Sequence, residues 1–281
     1  MLTAKTGSIS EAAAGCYLSQ PAASMALQQL ERDLDNALFD RVGKRLQLNS
    51  KGEELFPKAV AIIDRAEELE LSATNTLSRL SGALKIGCSQ TVGNYLLPPY
   101  IAHFKKQYPE VQFTSVVNNT HQILNKLNTF ELDMALIEGP QPNDSHFVSQ
   151  KWLDDEMVVI ACGNHPLTKK TTCDYRDLGL YPWVLRESGS GTAALIKQRT
   201  MEKFTPKVEI VLTAFEAIKN YVENSHCLSC ISKSAMRGVS QRRIRILDKS
   251  PFNFTRPIWL VVHNLKYQSD VCGQFKSHLL E

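Results

Sequence analysis

A chain of 281 residues with 43% hydrophobic composition is long enough for two or three compact units, and it holds no run of about 18 apolar residues to span a bilayer. A formal net charge of +3 is too small to argue by itself for a polyanionic partner. Seven scattered cysteines, an odd number, point to a reducing compartment rather than a disulfide framework, and the N-terminus lacks the basic and apolar regions of a secretory signal, so the expected location is the cytoplasm.

In chain order, Ser8-Ile9-Ser10-Glu11 fits the S-x-x-E capping box, in which the Ser8 hydroxyl and Glu11 carboxylate satisfy orphan backbone N–H groups. Ala12, Ala13 and Ala14 keep the helix that follows thin enough for close packing. A second helix starts at Ser19-Gln20-Pro21, with a hydroxyl as cap and a proline in the first turn. Ala23, Leu27 and Leu30 fall on its inner face. The other face carries Gln20, Ser24, Met25 and Gln28, short or amide-like side chains able to meet base edges in a major groove. Up to residue 60, seven Lys or Arg balance seven Asp or Glu, but the positive charge concentrates at Arg41, Lys44, Arg45 and Lys51 around Gly43. A hairpin tip of that kind sits against phosphates. The order of elements is that of a winged helix-turn-helix.

Several of these residues stand at a family's spacing. Gly7-Ser8, Ala12-Ala13, Ser19-Gln20, Ser24, Leu27 and Leu30-Glu31, followed by Leu38-Phe39-Asp40-Arg41, resemble the DNA-binding domain of LysR-type transcriptional regulators. Leu97-Pro98, Phe104, Tyr108-Pro109, Leu136-Ile137 and Ala217-Ile218-Lys219 are similar to that family's effector-binding region. The resemblance implies Ser19, Gln20, Pro21, Ser24, Met25, Gln28, Arg41, Lys44 and Arg45 as the DNA-contacting set, double-stranded operator DNA as partner, and RNA polymerase as a further candidate partner. One departure stands out: the family's first helix begins about a dozen residues before the Gly-Ser pair, whereas Met1–Thr6 alone precede it here, so residues 1–48 are expected to form a winged helix-turn-helix with a shortened first helix.

Residues 49–81 are expected to form a linker helix. Asn49 and Ser50 offer caps, and Leu55, Ala59, Ile62, Ala66, Leu69, Ala73, Leu77 and Leu80 alternate spacings of four and three. That is a heptad seam, with Leu55, Ile62, Leu69 and Leu77 as dimerisation residues. A second copy of the chain is the expected occupant, and the resemblance implies a dimer of dimers.

From residue 82 the pattern becomes β-α-β-α-β, with strands Ala83–Cys88, Val111–Val117 and Leu132–Ile137 separated by helices Thr91–Tyr108 and Asn119–Asn128. A second such set lies between Trp183 and Ile246, before strand Ile258–His263 and a final helix. The expected class is therefore α/β. The effector-binding region, 82–281, is divided into lobe I (about 82–161 and 264–281) and lobe II (about 162–263), a fold the resemblance likens to type 2 periplasmic binding proteins. Ligands in such sheets bind at the carboxyl ends of strands. Ser89, Gln90 and Thr91 follow the first strand, Glu138 ends the third, and Ser188, Ser190 and Thr192 precede a helix of the second lobe. Hydroxyls and free N–H groups at helix starts favour a small anion, so these seven residues are the candidate effector site.

No cofactor or metal is expected. Cys227-Leu228-Ser229-Cys230 is the only C-x-x-C, and in a strand its sulfurs would face opposite sides. Gly189-Ser190-Gly191 lacks the first glycine of a G-x-S-x-G elbow, and neither a G-x-x-x-x-G-K-[ST] loop nor H-E-x-x-H is present. The expected function is effector-controlled regulation of transcription rather than catalysis. The alternative is a two-lobed α/β solute-binding protein or enzyme without DNA-binding activity.

Overall fold

The computed structural model describes residues 1–74, 80–200 and 203–281, and the chain divides into two compact units: Met1–Ser78 with Leu265–Ser269, and Arg79–Asn264 with Asp270–Glu281. The first unit runs α1 (Leu2–Thr6), α2 (Ile9–Gly15), α3 (Gln20–Asp33), a hairpin of β1 (Phe39–Val42) and β2 (Arg45–Leu48), then α4 (Ser50–Thr74). Both expected caps form: Ser8 Oγ accepts from Glu11 N and Ser19 Oγ from Ala22 N, each at 3.3 Å. The capping box at Ser8 is only half made, because the N–H that Glu11 would have taken already donates to Thr6 Oγ1 at 3.2 Å. The wing is tied down at two points. Leu46 N donates to Gly7 O at 2.9 Å, and Leu38 N donates to Glu31 Oε1 on α3 at 2.7 Å.

Asn49 caps α4, accepting from Gly52 N at 2.9 Å. A Cβ at Gly52 would stand 2.2 Å from Leu38 O, so this glycine lets the helix start press onto the wing's base. The helix is described as far as Thr74, and Leu80 packs into the core of the second unit. Leu77 lies outside the described residues.

The second unit runs β3 (Gly82–Cys88), a π turn at Val92–Leu96, α5 (Leu97–Gln107), β4 (Val111–Val117), α6 (Thr120–Asn128), β5 (Met134–Glu138) and β6 (Phe147–Cys162). It continues with α7 (Tyr175–Gly179), β7 (Pro182–Arg186), α8 (Gly191–Thr200), β8 (Lys207–Leu212), α9 (Phe215–Glu223), β9 (Ser229–Ser232), β10 (Ile244–Ile246), β11 (Phe254–His263) and α10 (Asp270–Leu280). The first lobe is the expected parallel arrangement, with β3 between β4 and β5. Leu84, Ile86 and Cys88 share one buried face of β3 with residues of α5 and α10, while Ile123 and Leu127 of α6 cover the other side of the sheet.

The two long strands β6 and β11 pair antiparallel along their length and continue from the first lobe into the second. A register shift at Ile258/Trp259 skips Trp152, which turns into the first-lobe core and donates its indole N–H to Leu279 O at 2.7 Å. In the second lobe, alternate residues of β6 feed two cores: Met157, Val159 and Ala161 on one face, Val158 and Ile160 on the other. Cys230 on β9 and Cys227, two residues before that strand, fall in these opposite cores.

Candidate DNA-binding surface and effector cleft

On the first unit, Ser19, Gln20, Pro21, Met25 and Gln28 are exposed and Ser24 is half-buried, so α3 presents the expected polar face to its surroundings. Ser19 spends its hydroxyl on the cap. Arg41, Lys44 and Arg45 are all exposed around the hairpin tip, where Val42 pairs with Arg45 across a two-residue turn. The arrangement can lay a helix in a groove and a cationic tip on the adjoining backbone.

Leu55 is half-buried, while Ile62 is 69% and Leu69 is 71% exposed. Large apolar side chains on one helix stripe, left to solvent in a single chain, make a surface suited to a partner helix.

In the second unit, strands β3 and β5 carry the candidate effector residues to one place. Register pairs Cys88 with Leu136, so Ser89-Gln90-Thr91 leaves the sheet beside Ile137 and Glu138. From the second lobe, α8 brings its first turn against them: a Cβ at Gly191 would lie 2.0 Å from Glu138 O, and one at Gly139 3.1 Å from Gly191 Cα. The two lobes thus touch backbone to backbone, a contact glycine alone permits. His121 N on α6 also donates to Gly189 O across the gap, at 3.2 Å.

The centre of this cleft is a residue the sequence reasoning missed. Arg256 on β11 is fully buried, and its guanidinium donates to Asp155 Oδ2 on β6 (2.7 Å), Thr192 Oγ1 (2.8 Å) and Thr91 Oγ1 (2.8 Å). Asp155 in turn accepts from Ser232 Oγ at 2.6 Å. Two of the expected ligand hydroxyls, Thr91 and Thr192, are therefore bonded to an internal cation. Arg256 and Asp155 are register partners on β11 and β6. The signal was present: Phe254, Arg256, Ile258 and Leu260 alternate on one buried face, as do Asp155, Met157 and Val159. Arg186, at the end of β7, was also missed. It is buried over the ring of Phe215, 5.0 Å from the centroid, and bonded twice to Glu187 at 2.7 and 2.8 Å.

Among the described residues, four buried side-chain atoms around the cleft have no hydrogen-bond partner: Ser89 Oγ, Gln90 Oε1, Glu138 Oε2 and Arg186 Nη1. Burial pushes the Glu138 carboxyl above its ordinary range, against the opposing pull of Arg256 and Arg186. Of the remaining expected contacts, Ser190 caps α8 by accepting from Ala193 N at 3.1 Å, and Ser188 is exposed, lining a separate recess with Lys197 and Phe204. The structure brings together Ser89, Gln90, Thr91, Glu138 and Thr192. It does not bring Ser188 to them.

Comparison with known proteins agrees with both halves. The family described as bacterial regulatory helix-turn-helix protein, lysR family, matches residues 2–53, and the LysR substrate binding domain matches residues 78–281. The uncharacterized HTH-type transcriptional regulator YeiE of Escherichia coli K12 is 34% identical over 274 residues, covering 96% of this chain and 91% of that protein. Among solved structures, full-length OxyR from Pseudomonas aeruginosa superposes with a TM-score of 0.73 at 22% identity, covering 98% of this chain and 90% of that one. The regulatory domain of CcmR from Synechocystis, in complex with 2-PG, gives 0.66 at 24% identity over 71% of this chain and 96% of its own. With its winged helix-turn-helix, its two-lobed α/β unit and these matches across nearly all of its length, the chain belongs to the LysR family of DNA-binding transcriptional regulators.

Proposed function

We propose that this regulator reads its operator through Gln20, Ser24, Met25 and Gln28 on α3, and grips the phosphates with Arg41, Lys44 and Arg45. Two copies pair along the apolar stripe of α4 through Leu55, Ile62 and Leu69, placing two reading heads on a two-fold site. Pairs of dimers, and contact with RNA polymerase at the promoter, complete the cytoplasmic assembly. Residues 1–48, 49–81 and 82–281 act as reader, connector and sensor.

The sensor's ligand is a small oxyanion or carboxylate held between the lobes by Ser89, Arg186 and the start of the π turn. The single observation that carries this is the set of buried, unpartnered polar atoms at Ser89, Gln90, Glu138 and Arg186, since an unmade hydrogen bond in a protein interior costs about 1–3 kcal/mol and a ligand would relieve several at once. The 2-PG complex of CcmR shows a small molecule held by a domain of this fold. Ligand binding favours one arrangement of the lobes, and a preference of about 1–3 kcal/mol is enough to shift DNA affinity.

The test separates the two activities. Gln20→Ala with Ser24→Ala weakens operator selectivity in footprinting and leaves ligand-induced thermal stabilisation intact. Ser89→Ala does the reverse. Ser89 is a cleaner target than Thr91, because losing the Thr91 hydroxyl strands an N–H of Arg256. Loss of both activities in either variant refutes the division of labour.

A further inference from the structure

Within the cleft, the charges do not close. Arg256 is matched by Asp155 at 2.7 Å, and Arg186 by Glu187 at 2.7 and 2.8 Å. Glu138 is left over. Its Oε1 stands 3.7 Å from Arg256 Nη1, beyond hydrogen-bond reach, and its Oε2 has no partner although the residue is 2% exposed. Register sets Ser89 beside the end of β5 and Arg186 is near enough to act on the Glu138 charge, so an anion seated between Ser89 and Arg186 shares the pocket with this carboxyl. Two negative oxygens in one buried pocket cannot both stay bare where they meet, and a single shared proton resolves the conflict. The unpartnered Gln90 Oε1 points the same way, since it too needs a donor.

Resting on the effector-cleft reading above, we infer that this site takes its oxyanion or carboxylate together with one proton, held between a ligand oxygen and Oε2 of Glu138. The proton sits on the ligand where the ligand carries an acidic hydroxyl, and on Glu138 where it does not. A bare dianion is thereby disfavoured at alkaline pH. The charged and titratable neighbours of Glu138 are Arg256 on β11, Asp155 on β6, Arg186 and Glu187 from β7 and the loop after it, Cys88 on β3, and His121 at the exposed start of α6. The Cys88 thiol is pushed up to about 12 by burial, so it stays neutral. The two arginines carry permanent charge and Asp155 is already paired with Arg256 at 2.7 Å, which leaves Glu138 as the buried carboxyl without a close partner.

Inorganic sulfate and glycolate are suitable probes, because neither titrates between about pH 5.5 and 8.5. Calorimetry on the full-length protein, in two buffers of different ionisation enthalpy and across about pH 5.5 to 8.5, is expected to show uptake rising toward about one proton per ligand at the alkaline end, where Glu138 of the free site has given up its proton. Affinity then falls up to about tenfold per pH unit on the alkaline side. In Glu138→Gln, whose amide supplies the donor permanently, binding persists while proton uptake and the pH slope vanish. Binding by the wild-type protein with neither proton uptake nor loss of affinity up to about pH 8.5 overturns the shared proton and leaves the effector cleft standing, and this outcome needs no variant. A slope retained in Glu138→Gln places the proton elsewhere and also overturns it. Failure of both probes to bind either protein overturns the anion-cleft reading and the shared proton with it.

Discussion

Replacing Arg256 by methionine should damage the sensor unit more than any surface change, and the structure sets the scale. The guanidinium is fully buried and makes three short charge-assisted hydrogen bonds, to Asp155, Thr192 and Thr91. Methionine fills a similar volume but leaves the Asp155 carboxylate with only the Ser232 hydroxyl. Breaking a buried ion pair from one side costs about 3–5 kcal/mol, because the abandoned charge stays desolvated. For a unit of this size that corresponds to a fall in Tm on the order of 10 °C. Removing Asp155 as well, in Arg256→Met with Asp155→Leu, takes away both charges and should restore most of the loss, since apolar replacement of a whole buried pair is often neutral or stabilising. Arg256→Lys keeps the charge without the planar fork and should fall between, holding Asp155 while losing at least one threonine. Wild type, Arg256→Met, Asp155→Leu and the double variant form a double-mutant cycle, read by thermal and urea denaturation. If the two single substitutions add to within about 0.5 kcal/mol, the pair is not coupled and the argument for a central buried cation fails.

Three other outcomes follow from the same structure. Arg41→Ala, Lys44→Ala and Arg45→Ala together should flatten the dependence of operator affinity on salt, by about 0.9 in the log–log slope for each cation seated on a phosphate; an unchanged slope in anisotropy titrations removes the wing from the contact surface. Ile62→Asp with Leu69→Asp should shift sedimentation from dimer toward monomer without lowering the melting temperature of the sensor unit, because both side chains are solvent-facing in the single chain. A dimer that survives unchanged refutes the α4 seam. His165 is buried with both ring nitrogens used, Nδ1 accepting from Leu167 N at 3.1 Å and Nε2 donating to His226 O at 3.2 Å. Burial holds its pKa below the ordinary 6.5, so the folded state binds fewer protons than the unfolded one; the stability His165 contributes is present above about pH 6.5 and lost as pH falls below it. Urea midpoints compared between pH 7.5 and 5.5 should show that fall, and His165→Gln should reduce it.

Much of this architecture was legible because it is written in local signals. Ser8 and Ser19 announce helix starts, Val111–Val117 and Phe215–Glu223 are bounded as their patterns suggest, and the alternation of Leu84, Ile86 and Cys88 sets one face of β3. The place of Leu80 was not legible, since it keeps the heptad spacing yet is claimed by another core. Nor was the fate of the hydroxyls. Ser190 and Ser188 sit two residues apart in a run that reads uniformly as ligand-binding, but one is consumed as a cap and the other faces solvent. Helix-start hydroxyls serve either end, and only the tertiary approach of a second element decides which.

The missed residues share a physical reason. Arg256 and Asp155 lie on strands about a hundred positions apart in sequence, and a charged residue in an otherwise apolar alternation looks like an interruption until its cross-strand partner is known. Their position gives the pair its consequence. β6 and β11 run through both lobes, so the cation stands on the crossing strands rather than on either lobe, with one arm on Thr91 and the other on Thr192. An effector that engages Ser89 on one side and Arg186 on the other must therefore compete with, or reinforce, a bridge that already joins the lobes. Its leverage on lobe geometry is the difference between those two bridges, not its total binding energy. A ligand that touched one lobe alone could bind tightly and regulate nothing.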